Sequence, residues 1–329
     1  MKINKISIGT RGSKLALLQA EWVKSELHKI HPEIEIRLIK IKTTGDKILD
    51  VPLAKVGGKG LFVKEIEEAL FRGEVDMAAH SIKDVPTVLP EGLHIAAICK
   101  REDPRDALIS KILNSKFQIP NFRSLPSGAT IGTSSLRRSC QLSHIRPDLK
   151  IVQLRGNLDT RLRKLDEGHF DAIIVAVAGI KRSGWAERIT EILEPEICLP
   201  ATGQGAIGIE CRIDDEVMNN IVGALDHKET SICVRAERAF LKRLAGGCQV
   251  PIAAYARIVR QESGVKSQES NVNNNFSLLM DGLVGSVTGD KIVRGRMEGR
   301  PEEPDALGIK LAGDLLARGA KEILAEVYG

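Results

Sequence analysis

Residues 3–38, INKISIGTRGSKLALLQAEWVKSELHKIHPEIEIRL, carry the pattern that decides the fold. Apolar and polar residues alternate from 3 to 9, as in a strand, and apolar residues then recur at helical spacing until Pro32. A second alternating stretch covers residues 34–38. Strand, helix and strand in this order form a βαβ unit, so the sequence predicts an α/β protein with a parallel or mixed sheet.

The same order of elements returns in the middle of the chain. The predicted elements there are strands at 129–133, 151–154 and 172–177, a helix that begins within 134–138, and a helix at 158–165. Two such units predict a cleft between two similar domains, because ligands of α/β sheets bind beyond the carboxyl ends of the strands. The charged residues 101–106 lie between the units and predict the place where the chain crosses over.

The C-terminal third of the sequence follows a different order. The predicted elements are a helix from Thr230, strands at 252–258, 276–284 and 292–297, and a last helix at 307–327. Successive strands without helices between them predict a smaller α+β domain with an antiparallel sheet. The predicted domains therefore comprise residues 1–104 with 206–226, residues 105–205, and residues 227–329.

The composition is that of a globular protein without a membrane span. Hydrophobic residues make up 43% of the 329 residues, and no apolar run approaches the roughly 20 residues that cross a bilayer. The N-terminus lacks the apolar core of a signal peptide, so we expect a cytoplasmic protein. Six scattered cysteines without a CxxC pair argue against a disulfide scaffold and a zinc site, and we expect no bound metal.

Positive charge is concentrated in one segment. Residues 137–164 hold eight lysines and arginines against two aspartates. Such a local positive field indicates an anionic ligand. Aromatic residues make up only 3% of the chain, so few rings are available to stack the bases of a nucleic acid. We therefore expect a small polycarboxylate or phosphate ligand and no nucleic acid.

Three polar turns are suited to binding such an anion. Thr133-Ser134-Ser135 begins a predicted helix, where free backbone N–H groups bind anions, although a plain helix cap has the same sequence signature. Arg11-Gly12-Ser13 and Arg155-Gly156-Asn157 offer the bidentate fork with which arginine binds carboxylates. We place these two arginine turns at equivalent positions of the two units and predict that both face one cleft; two ordinary turns are the alternative.

Two loops hold side chains whose chemistry suits catalysis or covalent attachment. Lys83 and Asp84 follow a predicted strand, and a carboxylate among many cations can stabilise a positive charge or move a proton, whereas a surface ion pair is the alternative. Cys248 follows two glycines, which free the backbone for close approach to a ligand. A thiol there can carry a covalent group, and a buried structural cysteine is the alternative. The glycine-rich residues 45–60 predict a long, mobile loop of the kind that forms lids.

Six blocks of the sequence together resemble one family. They are VGGKGLF (56–62), HSIKDVP (80–86), GTSSLRR (132–138), LRGN (154–157), GQGA (203–206) and GGCQVP (246–251). Their residues, order and spacing are similar to hydroxymethylbilane synthase, also called porphobilinogen deaminase, across essentially the whole chain.

The resemblance implies a fold, a cofactor and a reaction. The fold would comprise two similar α/β domains with the architecture of periplasmic binding proteins, a cleft between them, and a smaller domain that carries Cys248. A dipyrromethane cofactor would be joined to Cys248 by a thioether. Four porphobilinogen molecules would lose ammonia and be linked head to tail on this cofactor before hydroxymethylbilane is released. The family also suggests a monomer.

The resemblance further assigns roles to individual residues. Asp84 would be the catalytic carboxylate that binds pyrrole N–H groups and stabilises positive charge on the nitrogen. The cofactor-binding residues would be Cys248, Ser81, Lys83, Asp84, Thr133, Ser135, Arg137, Arg138, Arg155 and Gly156. The substrate-binding residues would be Arg11, Ser13, Phe62, Arg155, Asn157, Arg161, Arg182 and Gln204. The lid would contain Lys55, Gly57, Gly58 and Lys59.

A non-catalytic anion-binding protein on the same two-domain cleft is the main alternative. It explains the arginines but has no use for Asp84 among cations or for Cys248. A dinucleotide-binding enzyme is excluded, because the GxGxxG match at 203–208 is followed by a strand pattern and not by a helix.

Overall fold

Three β-sheets with helices packed against them make up the structure, a computed structural model. It describes residues 3–47, 60–111, 121–246, 250–260 and 276–328. The chain begins the first sheet, crosses to the second, returns to the first and ends in the third.

The first sheet contains the N-terminal βαβ unit. Its strands are β1 (Lys5–Arg11), β2 (Glu35–Ile41), β3 (Met77–Ser81), β4 (Leu93–Ile98) and β10 (Ile207–Arg212). They lie in the order β2-β1-β3-β10-β4, with β1 parallel to β2 and β3, and β10 antiparallel to both neighbours. Parallel strands end at the same edge of a sheet, so the turns after β1 and β3 are brought together.

The second sheet repeats this topology. Its strands are β5 (Asp106–Ser110), β6 (Thr130–Gly132), β7 (Lys150–Val152), β8 (Ala172–Ala176) and β9 (Glu191–Leu193), in the order β7-β6-β8-β5-β9. Here β6 is parallel to β7 and β8, and β5 is antiparallel to its neighbours. The antiparallel inner strand of each sheet is the first one formed after the chain moves between sheets: β5 when it enters the second sheet, and β10 when it returns to the first. Two similar α/β units are thus confirmed.

Ten α-helices lie in the described ranges. They are α1 (Lys14–Ile30), α2 (Thr44–Lys47), α3 (Lys64–Phe71), α4 (Leu136–Ile145), α5 (Leu158–Asp166), α6 (Val177–Arg182), α7 (Glu216–Gly223), α8 (Lys228–Arg243), α9 (Pro304–Leu315) and α10 (Lys321–Tyr328). The spacing of apolar residues explains how α1 packs, because Val23 and Leu27 share one buried cluster with Ile8 of β1. Burial of one such aliphatic side chain contributes about 1.5–3 kcal/mol.

The third sheet is antiparallel, as predicted. Its strands β11 (Ile252–Arg260), β12 (Phe276–Gly285) and β13 (Ile292–Gly299) lie in chain order, and α8 and α9 share their core. The prediction of one continuous last helix is wrong. Gly319 adopts φ +105°, a left-handed conformation that an α-helix does not contain, so α9 and α10 are separate helices.

Two further details differ from the sequence prediction. The chain enters α2 at Thr44, so the start of the predicted 45–60 loop is helical. The two arginine turns are not equivalent: Arg11 ends β1, whereas Arg155 follows β7, whose counterpart in the first sheet is β2. The true counterpart of the Arg11 turn is the one after β6, which contains Ser135.

Two kinds of feature are absent from the described ranges. No helix there is long and apolar enough to cross a membrane. No group of three or more His, Cys, Asp or Glu side chains in that part of the chain is arranged to hold a metal ion.

A buried cluster of ionisable groups lies where α3 packs on the first sheet. His80 of β3 and Glu210 of β10 are almost fully buried, and the His80 Nε2 to Glu210 Oε2 distance is 2.9 Å. Glu67 of α3 is 8% exposed. Burial, and next the negative charge of Glu210, raise the pKa of Glu67 to about 7, while His80 acts in the opposite direction.

Glu67→Gln is expected to change how stability depends on pH. Folding raises the carboxyl pKa from 4.5 to about 7, so the native state holds a proton that the unfolded state has released. The free energy of unfolding therefore falls as pH rises from about 4.5 through 7, and the neutral glutamine removes this decline. The midpoint of urea unfolding, determined at several values from pH 5 to 8, measures this dependence of stability on pH. Glu68→Gln, at the exposed neighbouring position, is the control and should keep the wild-type slope; an identical slope for Glu67→Gln would contradict the interpretation.

Candidate active site

The site is built at the carboxyl ends of the parallel strands. In the first sheet, β3 passes directly into a 3-10 turn at Ile82–Asp84, which holds Lys83 and Asp84. In the second sheet, β6 passes into the start of α4, which holds Arg137 and Arg138. The topology therefore brings the predicted carboxylate and the predicted cations to the matching edges of the two sheets.

Lys83 is the link between the two edges. Its Nζ donates to Oε1 of Gln204 at 3.5 Å, and it has further interactions besides. Burial lowers the pKa of Lys83; the adjacent Asp84 opposes this shift, and the positive charges of Arg138 and Arg137 add to it. Asp84 itself is half-buried. The turn after β3 thus lies within electrostatic reach of the second sheet.

A buried aspartate that the sequence analysis missed organises the two arginines. Asp106 begins β5 and is fully buried. Arg137 Nη1 lies 2.7 Å from its Oδ2, and Nε and Nη2 of Arg138 donate to its Oδ1 at 3.0 and 2.6 Å. The two guanidinium groups hold the pKa of Asp106 far below its usual range against the effect of burial. Arg137 and Arg138 are therefore buried ion-pair partners and not exposed surface cations.

Further cations converge from the second sheet. Arg161 of α5 donates from Nε to the carbonyl oxygen of Gly156 at 2.8 Å. Burial lowers the pKa of Arg161 to about 10; repulsion from Arg138 and Arg155 adds to the shift, and the negative charge of Asp84 opposes it. Gly156 adopts φ +108°, where a side chain would be strained. A cation whose pKa is lowered by its surroundings gains most from an anionic ligand.

Aromatic and polar residues lie at the end of β1. The guanidinium carbon of Arg11 is 4.2 Å from the centre of the Phe62 ring, a cation–π contact. Ser13 caps α1 by accepting from the Ala16 N–H at 3.3 Å. Ser81, at the end of β3, exchanges hydrogen bonds with Gln19 of α1. These side chains hold α1 and the strand ends in fixed positions.

The hydroxyls of the second sheet stabilise the start of α4. Thr133 is buried, and its Oγ1 accepts from the backbone N–H of Ser135 at 3.3 Å. Ser135 occupies the N-cap position of α4 without a side-chain capping bond, and Asn157 does the same for α5. Both polar side chains remain at helix N-termini, where the partial positive charge favours anions.

The segments that join the sheets carry the remaining predicted residues. Gln204 is buried and donates from Nε2 to the carbonyl oxygen of Pro104 at 2.6 Å and to Oδ1 of Asp106 at 2.9 Å. Arg182, the last residue of α6, donates to the carbonyl oxygen of Gly205 at 2.7 Å. Burial lowers the pKa of Arg182. Gly203 and Gly205 have positive φ angles and precede β10, so this is a turn that leads into a strand of the first sheet and no dinucleotide loop.

Some predicted residues lie outside the described part of the chain. These are Cys248 and the lid residues Lys55, Gly57, Gly58 and Lys59. The five described cysteines are all free and buried, and burial raises the pKa of Cys198 to about 12, so it remains a neutral thiol.

The charges at the site suit a ligand with several carboxylates. Four cations interact with the two aspartates Asp84 and Asp106, namely Lys83, Arg137, Arg138 and Arg161, and a fifth, Arg155, acts on Arg161. Asp106 is already bonded to two arginines. A dipyrromethane with its acetate and propionate groups would bring negative charge to this excess of cations, so the residues fit the group.

Two α/β units with cations gathered at the ends of their parallel strands define a protein that binds a polyanionic ligand. Two family models cover most of the sequence: "Porphobilinogen deaminase, dipyromethane cofactor binding domain" matches residues 6–220, and "Porphobilinogen deaminase, C-terminal domain" matches residues 231–317. The chain belongs to the porphobilinogen deaminase family, and the first of these domains binds its dipyrromethane cofactor.

Curated relatives agree along the full length. The chain is 52% identical over 328 residues to porphobilinogen deaminase of Geobacter sulfurreducens, covering 100% of this chain and 96% of the relative. It is equally identical to the Pelobacter propionicus protein of the same name, covering 100% and 99%. Among solved structures, the periplasmic VFT2 domain of Bordetella pertussis BvgS aligns with 67% of this chain and 85% of its own, at 14% identity and a TM-score of 0.40.

Asp106→Asn is expected to destabilise the protein strongly. The substitution removes the charge that two buried guanidinium groups share, and breaking a buried ion pair in this way costs about 3–5 kcal/mol. Urea unfolding at pH 7 measures the loss. Asp148→Asn is the matched control, because Asp148 pairs with Arg146 near the surface, where the expected loss is under about 1 kcal/mol. Similar losses in both variants would show that Arg137 and Arg138 do not depend on Asp106.

Proposed function

We propose that the protein deaminates porphobilinogen and links four molecules head to tail on a dipyrromethane attached to Cys248, releasing ammonia and hydroxymethylbilane. The observation that carries this proposal is Asp84, a half-buried carboxylate whose charge acts on Lys83 and Arg161 in a site that has an excess of cations. A protein that only binds anions has no need of a negative group at the centre of such a site.

The cations bind the acid side chains of the pyrroles. The bound dipyrromethane supplies a terminal pyrrole with a free α-carbon, which is the nucleophile of the reaction. Lys83, Arg155 and Arg161 donate charge-assisted hydrogen bonds to acetate and propionate groups, which are stronger than neutral ones. Arg137 and Arg138 add the positive field that already acts on Lys83, and Arg138 also acts on Arg161. Ser81, Thr133, Ser135 and Gly156 provide polar groups and close backbone approach.

Asp84 acts on the reacting nitrogen. Its carboxylate accepts hydrogen bonds from pyrrole N–H groups and stabilises the positive charge that develops on nitrogen when ammonia leaves. A fixed charge in a water-poor site contributes a few kcal/mol to such a step. The same carboxylate would accept the proton that the α-carbon loses after the new bond has formed.

The incoming substrate occupies the side of the cleft nearer β1. Arg11 and Phe62, already stacked on each other, would contact its ring and acid groups. Ser13, Asn157, Arg182 and Gln204 are the further substrate-binding residues, and Lys55, Gly57, Gly58 and Lys59 belong to the lid.

We also propose the setting in which the enzyme works. It is a cytoplasmic monomer whose substrate is porphobilinogen and which binds no nucleic acid. Its domains comprise residues 1–104 with 206–226, residues 105–205, and residues 227–329. The strand order supports this division, because β10 pairs with the strands of the first sheet although it follows β9 in the chain.

Intact mass spectrometry tests the covalent cofactor. The purified protein should exceed its sequence mass by two pyrrole units and should give a colour with an aldehyde reagent for free-α pyrroles. Cys248→Ser should lose both signals, and Cys211→Ser, at a buried cysteine of β10, should keep them. If the wild type still added nothing to Cys248 after incubation with porphobilinogen or hydroxymethylbilane, the synthase proposal would be wrong and a non-catalytic anion-binding protein would be the better description.

Asp84→Ala is expected to load the cofactor and to fold, but to lose turnover. Removing one preorganised electrostatic group lowers kcat by about 10²–10³-fold in well-studied cases. The rate of porphobilinogen consumption measures the loss. Asp214→Ala, at an exposed position of the first unit, controls for the loss of a carboxylate in general. Wild-type turnover in Asp84→Ala would remove Asp84 from the mechanism.

A further inference from the structure

A half-buried arginine of α8 holds the two residues that follow the proposed catalytic carboxylate. Nη1 of Arg238 donates to the carbonyl oxygen of Val85 at 3.1 Å, and its Nη2 donates to the carbonyl oxygen of Pro86 at 2.6 Å. These are the two residues directly after Asp84. One guanidinium group thus fixes two successive peptide units at the end of the turn.

The same helix contacts the turn at a second point. Val234, one helical turn before Arg238, is buried in a cluster with Ile82, Ile98 and Ala206. Ile82 begins the turn, and its backbone N–H donates to the carbonyl oxygen of Ala206 at 3.1 Å. The Val85 N–H closes the turn on the Ile82 carbonyl oxygen at 3.1 Å. Helix α8 therefore holds both ends of the three-residue turn whose last residue is Asp84.

The charge of Arg238 is balanced from within the first sheet. Burial lowers the pKa of Arg238, and the negative charge of Glu210 opposes this shift. Glu210 is fully buried and is bonded to His80, which precedes the turn on β3. The negative charge of Glu210 thus acts on this guanidinium group from β10, the strand next to β3, and β3 leads into the Asp84 turn.

Helix α8 also belongs to the part of the chain that leads to the cofactor cysteine. It ends at Arg243, a few residues before Cys248 in sequence. We propose that Arg238 is a positioning residue, which fixes the Asp84 turn to the helix that precedes Cys248. The role rests on the proposed function, because it acts through Asp84.

The geometry explains why arginine is needed. Its planar fork presents two donors to two carbonyl oxygens at once, whereas the ammonium group of lysine is a single point that cannot reproduce this bridge. A catalytic group displaced by about 1 Å can lose 10²-fold in rate. Loss of the bridge should therefore affect kcat, while the cations that bind the substrate acids, and with them KM, remain in place.

Arg238→Lys is the first test, with Arg212→Lys as its matched control. Arg212 also donates to two backbone carbonyl oxygens, those of Leu70 and Val75, at 2.8 and 3.1 Å, but these lie away from the turn. We expect Arg238→Lys to load the cofactor, to keep KM within about threefold, and to lower kcat roughly 10- to 100-fold. Arg212→Lys should keep kcat near the wild-type value. Arg238→Gln is measured beside it, so that the result does not depend on one variant folding.

Two further measurements separate positioning from general damage. Hydrogen exchange of the Val85 amide should be faster in Arg238→Lys and unchanged in Arg212→Lys, a readout that needs no enzymatic activity. In the Asp84→Ala background, Arg238→Lys should cause no further loss of kcat, because residues that act as one unit are not additive.

The outcomes distinguish this proposal from the proposed function. An inactive wild-type protein without a cofactor would contradict the function, whereas faster Val85 exchange in Arg238→Lys would still show that the arginine holds the turn. An active wild type with equal kcat in Arg238→Lys and Arg212→Lys would overturn the positioning role alone. A full additional loss in the Asp84→Ala background would also overturn it, because Arg238 would then act independently of Asp84.

Discussion

The ion pairs of Asp106 are the interaction on which the site depends. Its carboxylate binds Arg137 and Arg138 at the start of α4 and accepts from the amide of Gln204. The side-chain oxygen of Gln204 in turn accepts a hydrogen bond from Lys83. One buried charge thus connects the second sheet, the segment that joins the two sheets, and the turn that carries Asp84. Without it, two adjacent guanidinium groups would be buried with no counter-ion, which is a costly arrangement in a protein interior.

The sequence predicted those helices and strands whose pattern depends only on residues that are neighbours in the chain. Alternation and helical spacing locate β1, α1 and β2 to within a few residues, because each pattern depends on neighbours in the chain. Strand β4 and the short β9 escaped prediction, since their pairing with β10 and β5 is set by distant segments. The break at Gly319 was missed because a single glycine within a helical pattern does not reveal a positive φ.

For the candidate site as well, the sequence indicated some residues and missed others. Asp84 and Arg161 were proposed as site residues through the resemblance to the family, and in the structure the negative charge of Asp84 acts on Arg161. The partner of the two arginines was not, because Asp106 lies some thirty residues before them and only the fold brings them together. The two arginine turns were wrongly paired for a related reason: sequence shows that a turn follows a strand, but only sheet order shows which strand.

Two aspartates in one site take different roles because their surroundings differ. Asp106 is fully buried and shares its charge between two guanidinium groups. It therefore stays ionised and does not change its charge during a reaction. Asp84 is half-buried on a short turn, beside Lys83 and within reach of Arg161. Its charge meets cations that are themselves desolvated, and whose pKa values are lowered. In the function that we propose, acidic pyrrole side chains neutralise those cations, and Asp84 is left to act on the positive nitrogen. The buried aspartate would then build the cationic site in which the turn aspartate works.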